Sequence, residues 1–415
     1  MVSGMGDERA AIAQVLRRTT FGPFPGQCEH LSVRGVSGAI DAVLSAAPLI
    51  PESPVFSAEQ NEQDDYSDGP ARRWLQLMSN PGAGIHEKMV WFWHGHLTSS
   101  HDKVDSWALM WRQHLLLREH ALGNFRDLMH AITVDGAMLQ YLDGADSTGD
   151  QPNENYGREL MELFTLGRGH YDQADVRAAA TALAGWRVDD NVSVSFAQDA
   201  ANGMPRTLLG RSVLDAADVV DTVCDHPGCA PFIAAKLYRF LTGSDPEASH
   251  LNELAKLFAG SGLQIRPLVE AIVRDPVMFD GTQARSRYPV EWVVAALGVF
   301  GIDDSGRAMD ALTTLGQKPF LPPNVAGWPP GTQWVSPGRA IAKAALTVQA
   351  PAVRSVTEAA DPVTAAFERA AIYTPSATSA AAVRRFHDTV GNRNPDATAA
   401  ALLGLVVSTP EFGLA

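Results

Sequence analysis

Apolar residues recur at every third or fourth position along most of the chain, and this spacing places them on one face of an α-helix. In the first predicted helix, residues 8–18, the side chains of Ile12, Val15 and Leu16 share one side, and the run FGPFPGQ ends the element. The same pattern predicts further helices at 35–46, 70–80, 84–94, 103–120, 123–133, 154–166, 175–184, 215–224, 228–241, 247–260, 264–273, 288–300, 307–315, 337–349, 361–371, 377–389 and 395–407.

Three stretches between these helices follow other patterns. Polar and apolar residues alternate in WRVDDNVSVSFA, which predicts at most a short β-hairpin near 186–211. Residues 47–68 are rich in Pro, Ser, Glu and Asp, as is typical of a surface excursion, and 315–336 form a Pro-rich loop. We therefore expect a mainly α, bundle-like architecture of two helical subdomains, 1–200 and 201–415, with the Pro-rich loop as a candidate cover for a site in the first.

Length, composition and charge narrow the class of protein. The chain has 415 residues, 46% hydrophobic and 19% charged, an ordinary balance for a folded protein. Its net charge of −14, from 33 basic and 47 acidic residues, argues against a nucleic-acid partner or an anionic lipid surface. Three cysteines do not make a disulfide framework. With no run of 18 apolar residues and no secretory pattern at the start, we expect no membrane span and a cytoplasmic location.

The densest set of polar residues lies in the segment NENYGRELMELFTLGRGHY, which begins at Asn153. On a helical wheel, an arc of about 140° opposite the apolar residues holds four charged side chains: Glu154, Arg158, Glu159 and Glu162. Asn153 is a good N-cap, and the helix dipole favours an ionised Glu154 in the first turn. Glu162 lies further on, where a cleft would desolvate it and make it the better proton donor. Two carboxylates in unequal environments are the groups that general acid–base catalysis uses.

An ordinary solvated helix would show part of this pattern, because Glu154–Arg158 and Arg158–Glu162 are i,i+4 ion pairs. Two features favour a functional site instead. The helix is framed by the irregular segments DGADSTGDQPNEN and TLGRGHY, and sites tend to lie at such breaks in regular structure. Hydrogen-bonding side chains also cluster around it, and four of them are candidate substrate ligands: Asp143, Asn153, Asn155 and Tyr171.

The segment HEKMVWFWHGHLTSSHDK contains the candidate metal ligands His94 and His96. A His-x-His pair binds one metal from an extended segment, whereas residues two apart on a helix point about 200° away from each other. Gly95 favours a helix end between the two rings, which would let them converge. A divalent transition metal is therefore a candidate cofactor. The competing interpretation is a helix cap or a core histidine, and no Glu-x-x-His motif supports a di-iron bundle.

Tryptophans are the third set of candidate functional residues. Trp186 and Trp328 lie in or beside polar, Gly-rich segments, where an indole ring stacks on a sugar or forms a buried corner of the core. The chain has no Gly-x-Ser-x-Gly elbow, P-loop, Rossmann glycine fingerprint or His-Glu-x-x-His motif. These absences remove the commonest esterase, nucleotide-dependent and zinc-protease chemistries.

Several segments resemble the bacterial family known as domain of unknown function 1800. They are LRRTTFG, EKMVWFWHGHLT, GNFRDLMHAITVDGAMLQYLDG, NENYGRELMELFTLGRGHYDQADVRAAATALAGW, AAKLYRFL and LGQKPFLPPNVAGWP. The resemblance implies that the polar signature of the family falls on His94, His96, Asp143, Asn153, Glu154, Asn155, Arg158, Glu159, Glu162, Trp186, Gln317, Asn324 and Trp328. It also implies that many relatives are exported, often with a twin-arginine leader, and that Gly95 stands where the family usually has Asn.

Three functions fit these residues. The favoured one is a hydrolase acting on a small molecule, such as a glycan, with Glu154 or Glu159 as base or nucleophile and Glu162 as acid. Carboxylates about 5 Å apart would indicate retention of configuration, and about 6.5–9.5 Å inversion. The second is a metal-dependent enzyme, open to oxidoreductase chemistry, with iron, manganese or zinc on His94, His96 and a glutamate. The third is a binding or structural protein whose charged face docks a partner or forms an ion-pair network.

Overall fold

The computed structural model describes residues 5–52, 69–281, 284–329, 331–347, 351–391 and 394–415. The polar segment predicted at 47–68 therefore lies largely outside the described residues. The described chain is mainly α-helical, as the sequence predicts, and none of its helices is both long and apolar enough to cross a membrane.

The helices of the first half surround the segments that the sequence marks as candidate sites. Their bounds are α1 Met5–Thr19, α2 Gln27–Ser32, α3 Gly35–Ser45, α4 Gly69–Met78, α5 Ile85–His96, α6 His101–Val104, α7 Trp107–His120, α8 Phe125–Thr133, α9 Gly136–Tyr141, α10 Glu154–Glu159 and α11 Gln173–Ala182. Most agree with the predicted helices to within a few residues. The exceptions are α2 and α9, which no predicted helix covers, and the break that divides the helix predicted at 103–120 into α6 and α7. Asp135 begins α9 by accepting a hydrogen bond from the Met138 N–H.

The second half continues the helical pattern. Its helices are α12 Ala216–Asp225, α13 Cys229–Thr242, α14 Ala248–Gly260, α15 Ile265–Val273, α16 Pro289–Phe300, α17 Ser305–Leu315, α18 Pro337–Thr347, α19 Arg354–Thr357, α20 Pro362–Arg369, α21 Ala377–Val390, α22 Pro395–Val407 and α23 Pro410–Gly413. Short 3₁₀ turns lie at Pro276–Met278 and Gly331–Trp334.

The predicted helix at 154–166 is regular only in its first part. After α10 the backbone continues as a π-helix over Leu160–Thr165, in which hydrogen bonds span five residues instead of four. The N–H of Leu166 donates to the carbonyl of Met161 at 2.9 Å, and the Thr165 hydroxyl donates to the carbonyl of Leu160 at 2.6 Å. One extra residue per turn rotates the following side chains away from the positions that an α-helical wheel assigns them.

The predicted β-hairpin is present as two short antiparallel pairs. Strands β1 Trp186–Val188 and β2 Val194–Phe196 pair with Trp186 opposite Phe196. Strands β3 Arg206–Leu208 and β4 Arg211–Val213 form the second pair, which extends slightly beyond the predicted range. Gly210, at φ 78°, lies in the tight turn between β3 and β4.

One hydrophobic cluster of buried side chains extends from Ile12 in α1 to Phe412 in α23. Helix α4 packs against α17, so elements from both halves of the chain contact each other. A buried ion pair makes a second connection, because the ammonium of Lys88 in α5 contacts the carboxylate of Glu291 in α16. The division into subdomains at residue 200 stays a prediction.

Candidate functional site

The loop that leads into α10 is fixed by two of the predicted substrate ligands. Asn153 is the N-cap, since its side-chain oxygen accepts a hydrogen bond from the Asn155 N–H at 2.9 Å. Its side-chain amide donates to the carbonyl of Asp143 at 3.3 Å. The Asp143 carboxylate lies 2.7 Å from the ammonium of Lys103. The side chains of Asp143 and Asn153 are thus engaged in holding the loop, whereas Asn155 is exposed.

Glu154 begins α10 and contacts the first residue of α11. Its carboxylate accepts hydrogen bonds from Gln173 at 2.6 Å and, more weakly, from Arg158 at 3.5 Å. Arg158 also donates to the side-chain oxygen of Gln173 at 3.2 Å. The three side chains form a partly exposed network that ties α10 to the start of α11, so the predicted i,i+4 pair of Glu154 and Arg158 is present.

Glu162 lies on the π-helix and is held by the turn that follows it. The Tyr171 hydroxyl donates to one carboxylate oxygen at 2.6 Å, and the Arg168 guanidinium donates to the other, also at 2.6 Å. These hydrogen bonds favour the charged form, first that from Tyr171 and then that from Arg168, and they lower the pKa of Glu162. The carboxylate is therefore ionised at neutral pH.

Glu159, at the end of α10, has the opposite electrostatic environment. Burial raises its pKa, and the nearby charge of Glu162 raises it further. The order that the sequence suggests is thus reversed: Glu159, and not Glu162, is the carboxyl that holds its proton more firmly. The reason is the turn at 167–171, which brings Arg168 and Tyr171 back onto Glu162. We call the set Glu154, Arg158, Glu159, Glu162, Arg168, Tyr171 and Gln173 the glutamate cluster.

The expected convergence of His94 and His96 is wrong, because α5 continues through Gly95 to His96 and the two rings point to different surroundings. His94 accepts a hydrogen bond at Nε2 from the Phe320 N–H at 3.0 Å, and the Nε2 of His96 lies 3.0 Å from the Phe164 carbonyl, to which it donates. Burial lowers the pKa of each to about 3, so both rings are neutral. Within the described ranges, no three or more His, Cys, Asp or Glu side chains form a group that could hold a metal ion.

Trp328 lies on the other side of the π-helix, in a cavity of about 460 Å³ that we call the central cavity. Its wall is formed by α5, α13, the π-helix residue Leu163, the segment 284–288 and the loop from Gln317 to Gly331. The Trp328 ring stacks on Trp91 of α5, with centroids 4.7 Å apart. The Pro-rich loop therefore borders a cavity, but the lining of that cavity includes His96 and Leu163 and none of the glutamates.

Trp186 lies in a third region, apart from the glutamate cluster and the central cavity. It begins β1, contacts Phe196 of β2 with ring centroids 5.2 Å apart, and lines a separate cavity of about 590 Å³ together with His130 and Leu214. The structure thus brings the predicted acidic and amide residues together around α10, and distributes the two tryptophans and the histidines among other surroundings.

Several residues of these sites carry no clear local signal in the sequence. Arg168 and Gln173 complete the glutamate cluster, and only their closeness in sequence to Glu162 could have suggested them. Tyr141 is half-buried, burial and then the charge of Glu159 raise its pKa, and the ammonium of Lys103 lies 5.8 Å from the centre of its ring. Lys236 and Arg239 of α13 line the central cavity and follow the glutamate cluster by about 70 residues in the sequence. Nothing in the amphipathic pattern of α13 distinguishes them.

The comparisons with known proteins give a family and no activity. No curated protein and no solved structure matches this chain. A family model described as protein of unknown function DUF1800 matches residues 14–414, which include every residue of the glutamate cluster and of the central cavity. The family that the segments around α5 and α10 resemble is therefore the one found: the chain belongs to the DUF1800 family.

Proposed function

We propose that this protein is a hydrolase in which Glu159 is the general acid and Glu162 the general base or nucleophile. The observation that carries the proposal is that Glu162 accepts hydrogen bonds from Tyr171 and Arg168, whereas the neighbouring Glu159 has no such donor among the described residues, so that the pKa values of the two carboxyl groups shift in opposite directions. General acid–base catalysis needs one carboxyl that holds its proton and one that stays ionised, and unequal environments supply both. The π-helix supports the assignment, because such turns are frequent at functional sites.

Glycosides are the substrate class that two such carboxyl groups serve most directly. In this proposal Glu159 donates its proton to the glycosidic oxygen as the C–O bond breaks, so that a neutral alcohol leaves. Glu162 then has one of two roles. Either it takes a proton from the water that attacks the anomeric carbon, or it forms a bond to that carbon, which a water deprotonated by Glu159 later breaks. Tyr171 and Arg168 keep Glu162 ionised for both routes.

The surrounding side chains divide into positioning groups and candidate contacts with the sugar. Arg158 is a positioning residue, because it holds Glu154 and because its charge opposes protonation of both catalytic carboxylates. The exposed side chain of Asn155 is a candidate partner for sugar hydroxyls.

A library of aryl and alkyl glycosides, in both anomeric forms, tests the proposal. With Glu159→Gln, hydrolysis of glycosides with poor leaving groups should fall by about 10²–10⁴-fold, because those alcohols need a proton. For glycosides with acidic phenol leaving groups, kcat/KM should fall by less than about tenfold, because it reports on the step in which such phenolates leave without a proton. With Glu162→Gln, both classes should fall by at least about 10²-fold.

A matched control is Glu358→Gln, which removes an exposed glutamate paired with Arg354 at i,i+4 and should leave every rate unchanged. Turnover of no glycoside in the library would contradict the substrate class. Turnover that does not distinguish Glu162→Gln from the unaltered protein would contradict the catalytic assignment.

A metal-dependent enzyme is the second proposal. It has less support, because the Nε2 atoms of His94 and His96 are already hydrogen-bonded in different surroundings. Elemental analysis of protein purified without chelators and supplied with metal tests it. A stoichiometric transition metal that is lost in a His94→Ala/His96→Ala double variant would favour this proposal over the glutamate pair.

A further inference from the structure

The walls of the central cavity are largely aromatic. Trp91 and Trp328 stack on one side, and Phe240 and Tyr288 stack on another, with ring centroids 6.2 Å apart. Phe92 of α5 completes this surface. A cavity of about 460 Å³ is within the size range of small-molecule sites, and flat aromatic walls favour a flat apolar ligand.

Three nitrogen donors of the lining side chains have no acceptor in the described chain. They are the Nε2 of Gln317, the Nε1 of Trp328 and the Nε of Arg285, and all three nitrogen atoms are buried. Gln317 is fully buried, and its side-chain oxygen is already used as the acceptor for the Val290 N–H at 3.0 Å. None of the three nitrogen atoms is accessible at the cavity surface, so they lie behind the wall as polar groups that the described chain leaves unpaired.

The charge of the lining has one sign. Lys236, Arg239 and Arg285 are lining residues, and no Asp or Glu is among the described residues that form the wall. Arg285 binds Glu291 with both terminal nitrogens, at 2.7 and 2.8 Å, but Lys88 shares that same carboxylate. Two buried cations therefore have one counter-charge, and the deep part of the cavity keeps an excess of positive charge.

At the rim, the positive charge is only partly compensated. Arg239 pairs with Asp245 outside the cavity lining, with Nε 2.6 Å from the carboxylate. The ammonium of Lys236 lies 5.2 Å from the centre of the Phe232 ring. In the part of the chain that the structure describes, Lys236 has no ion-pair partner. An anionic group that enters between α13 and the Pro-rich loop would meet this charge first.

The geometry points to the central cavity as a binding site for an organic anion: a small ligand with a carboxylate or another oxyanion and a flat apolar body. The oxyanion pairs with the ammonium of Lys236 and the guanidinium of Arg239 at the rim and offsets the excess positive charge, while the apolar body lies against the indole and phenyl rings. This inference is independent of the reaction proposed at the glutamate cluster, because the glutamates do not line the cavity.

Isothermal titration at low ionic strength with 2-naphthoate, 2-naphthyl phosphate and the neutral 2-naphthamide tests it. We expect saturable 1:1 binding of at least one anion and binding of the amide that is weaker by at least about tenfold. The Lys236→Gln variant should weaken anion binding by at least about fivefold and leave the amide unaffected. Lys236 is exposed at the rim, so this variant should fold normally. A preference for the naphthoate or for the phosphate identifies which oxyanion the natural ligand carries.

Two further variants locate the binding. Ala326 is an exposed lining residue, and Ala326→Trp should fill the entrance and abolish binding of the anion. Lys256→Gln removes an exposed lysine of α14 that does not line the cavity, and it should change nothing. Equal affinity for acid and amide, binding that survives Ala326→Trp, or failure of both anions to bind would each overturn the proposal.

Discussion

The π-helix separates two regions of opposite character. On one side lies the glutamate cluster, in which the carboxylates of Glu154 and Glu162 are hydrogen-bonded by partners within about twenty residues. On the other side lies the central cavity, whose wall joins α5, α13, segment 284–288 and the Pro-rich loop. The first region has an excess of carboxylates with satisfied hydrogen bonds. The second has an excess of cations and donors without acceptors.

This difference indicates how each region acts. Polar groups that already have partners are positioned and have tuned pKa values, which suits acid–base chemistry on a substrate that arrives from solvent. Cations with too few counter-charges attract an anionic ligand, and an oxyanion bound beside them offsets the excess positive charge. His96 lies between the two regions, because it lines the cavity and donates to the Phe164 carbonyl of the π-helix.

The largest expected effect on stability concerns Glu291, the counter-charge of Arg285 and Lys88. Burial opposes ionisation of Glu291, but Arg285 and Lys88 outweigh it and lower its pKa to about 2. Glu291→Gln would leave both cations buried without a counter-charge, and we expect the free energy of unfolding to fall by about 3–5 kcal/mol. Glu154→Gln, in the partly exposed cluster, should change it by less than about 0.5 kcal/mol. Urea denaturation at pH 7, followed by circular dichroism, measures both, and equal effects would remove the distinction between the two regions.

A smaller effect is expected at Gly327, where the Pro-rich loop meets α5. Gly327 has φ 78°, and a Cβ atom there would lie 2.1 Å from the carbonyl oxygen of Gly95. Gly327→Ala must displace the loop and Trp328, and we expect it to destabilise the fold by about 1–3 kcal/mol and to weaken naphthoate binding. Gly210 has the same φ with no atom within 4 Å, so Gly210→Ala isolates the backbone strain from the clash. Equal losses in thermal unfolding would show that the contact with Gly95 contributes nothing.

The fold and part of the cluster were predictable because their signals are local. Helical periodicity located most helices, and Asn153 was identified as an N-cap from its place before the first turn. The order of the two pKa values was not predictable. An α-helical wheel cannot represent the π-helix after Glu159, and it gives no sign that Arg168 and Tyr171 fold back onto Glu162.

The central cavity could not be predicted from the sequence, for a different reason. Its donors and cations come from segments far apart in the chain, and each segment has an ordinary pattern of its own. Gln317 is suggested by the family resemblance alone and Trp328 by that resemblance and its Gly-rich segment, and nothing local distinguishes Lys236 or Arg285 from solvated or structural cations. Gly95 was misleading, because a glycine near a helix end favours termination, whereas α5 continues through it.

The effect that is smallest for one step of its measurement, about 1.4 kcal/mol for one pH unit, is the pH dependence of stability at His96, in the wall between the two regions. Burial, and then the charge of Lys236, lower the pKa of His96 to about 3, whereas the unfolded chain binds the proton near pH 6.5. The stabilisation by neutral His96 is therefore complete above pH 6.5 and is lost as the pH falls towards 3. Each such group contributes about 1.4 kcal/mol per pH unit within that window.

His96→Gln should reduce the slope of the free energy of unfolding against pH, between pH 6 and pH 4, by about that amount, while His94 keeps its own contribution. Unfolding titrations at several pH values measure the slope. An unchanged slope would mean that His96 is protonated in the folded protein and does not form a neutral wall between the cavity and the π-helix.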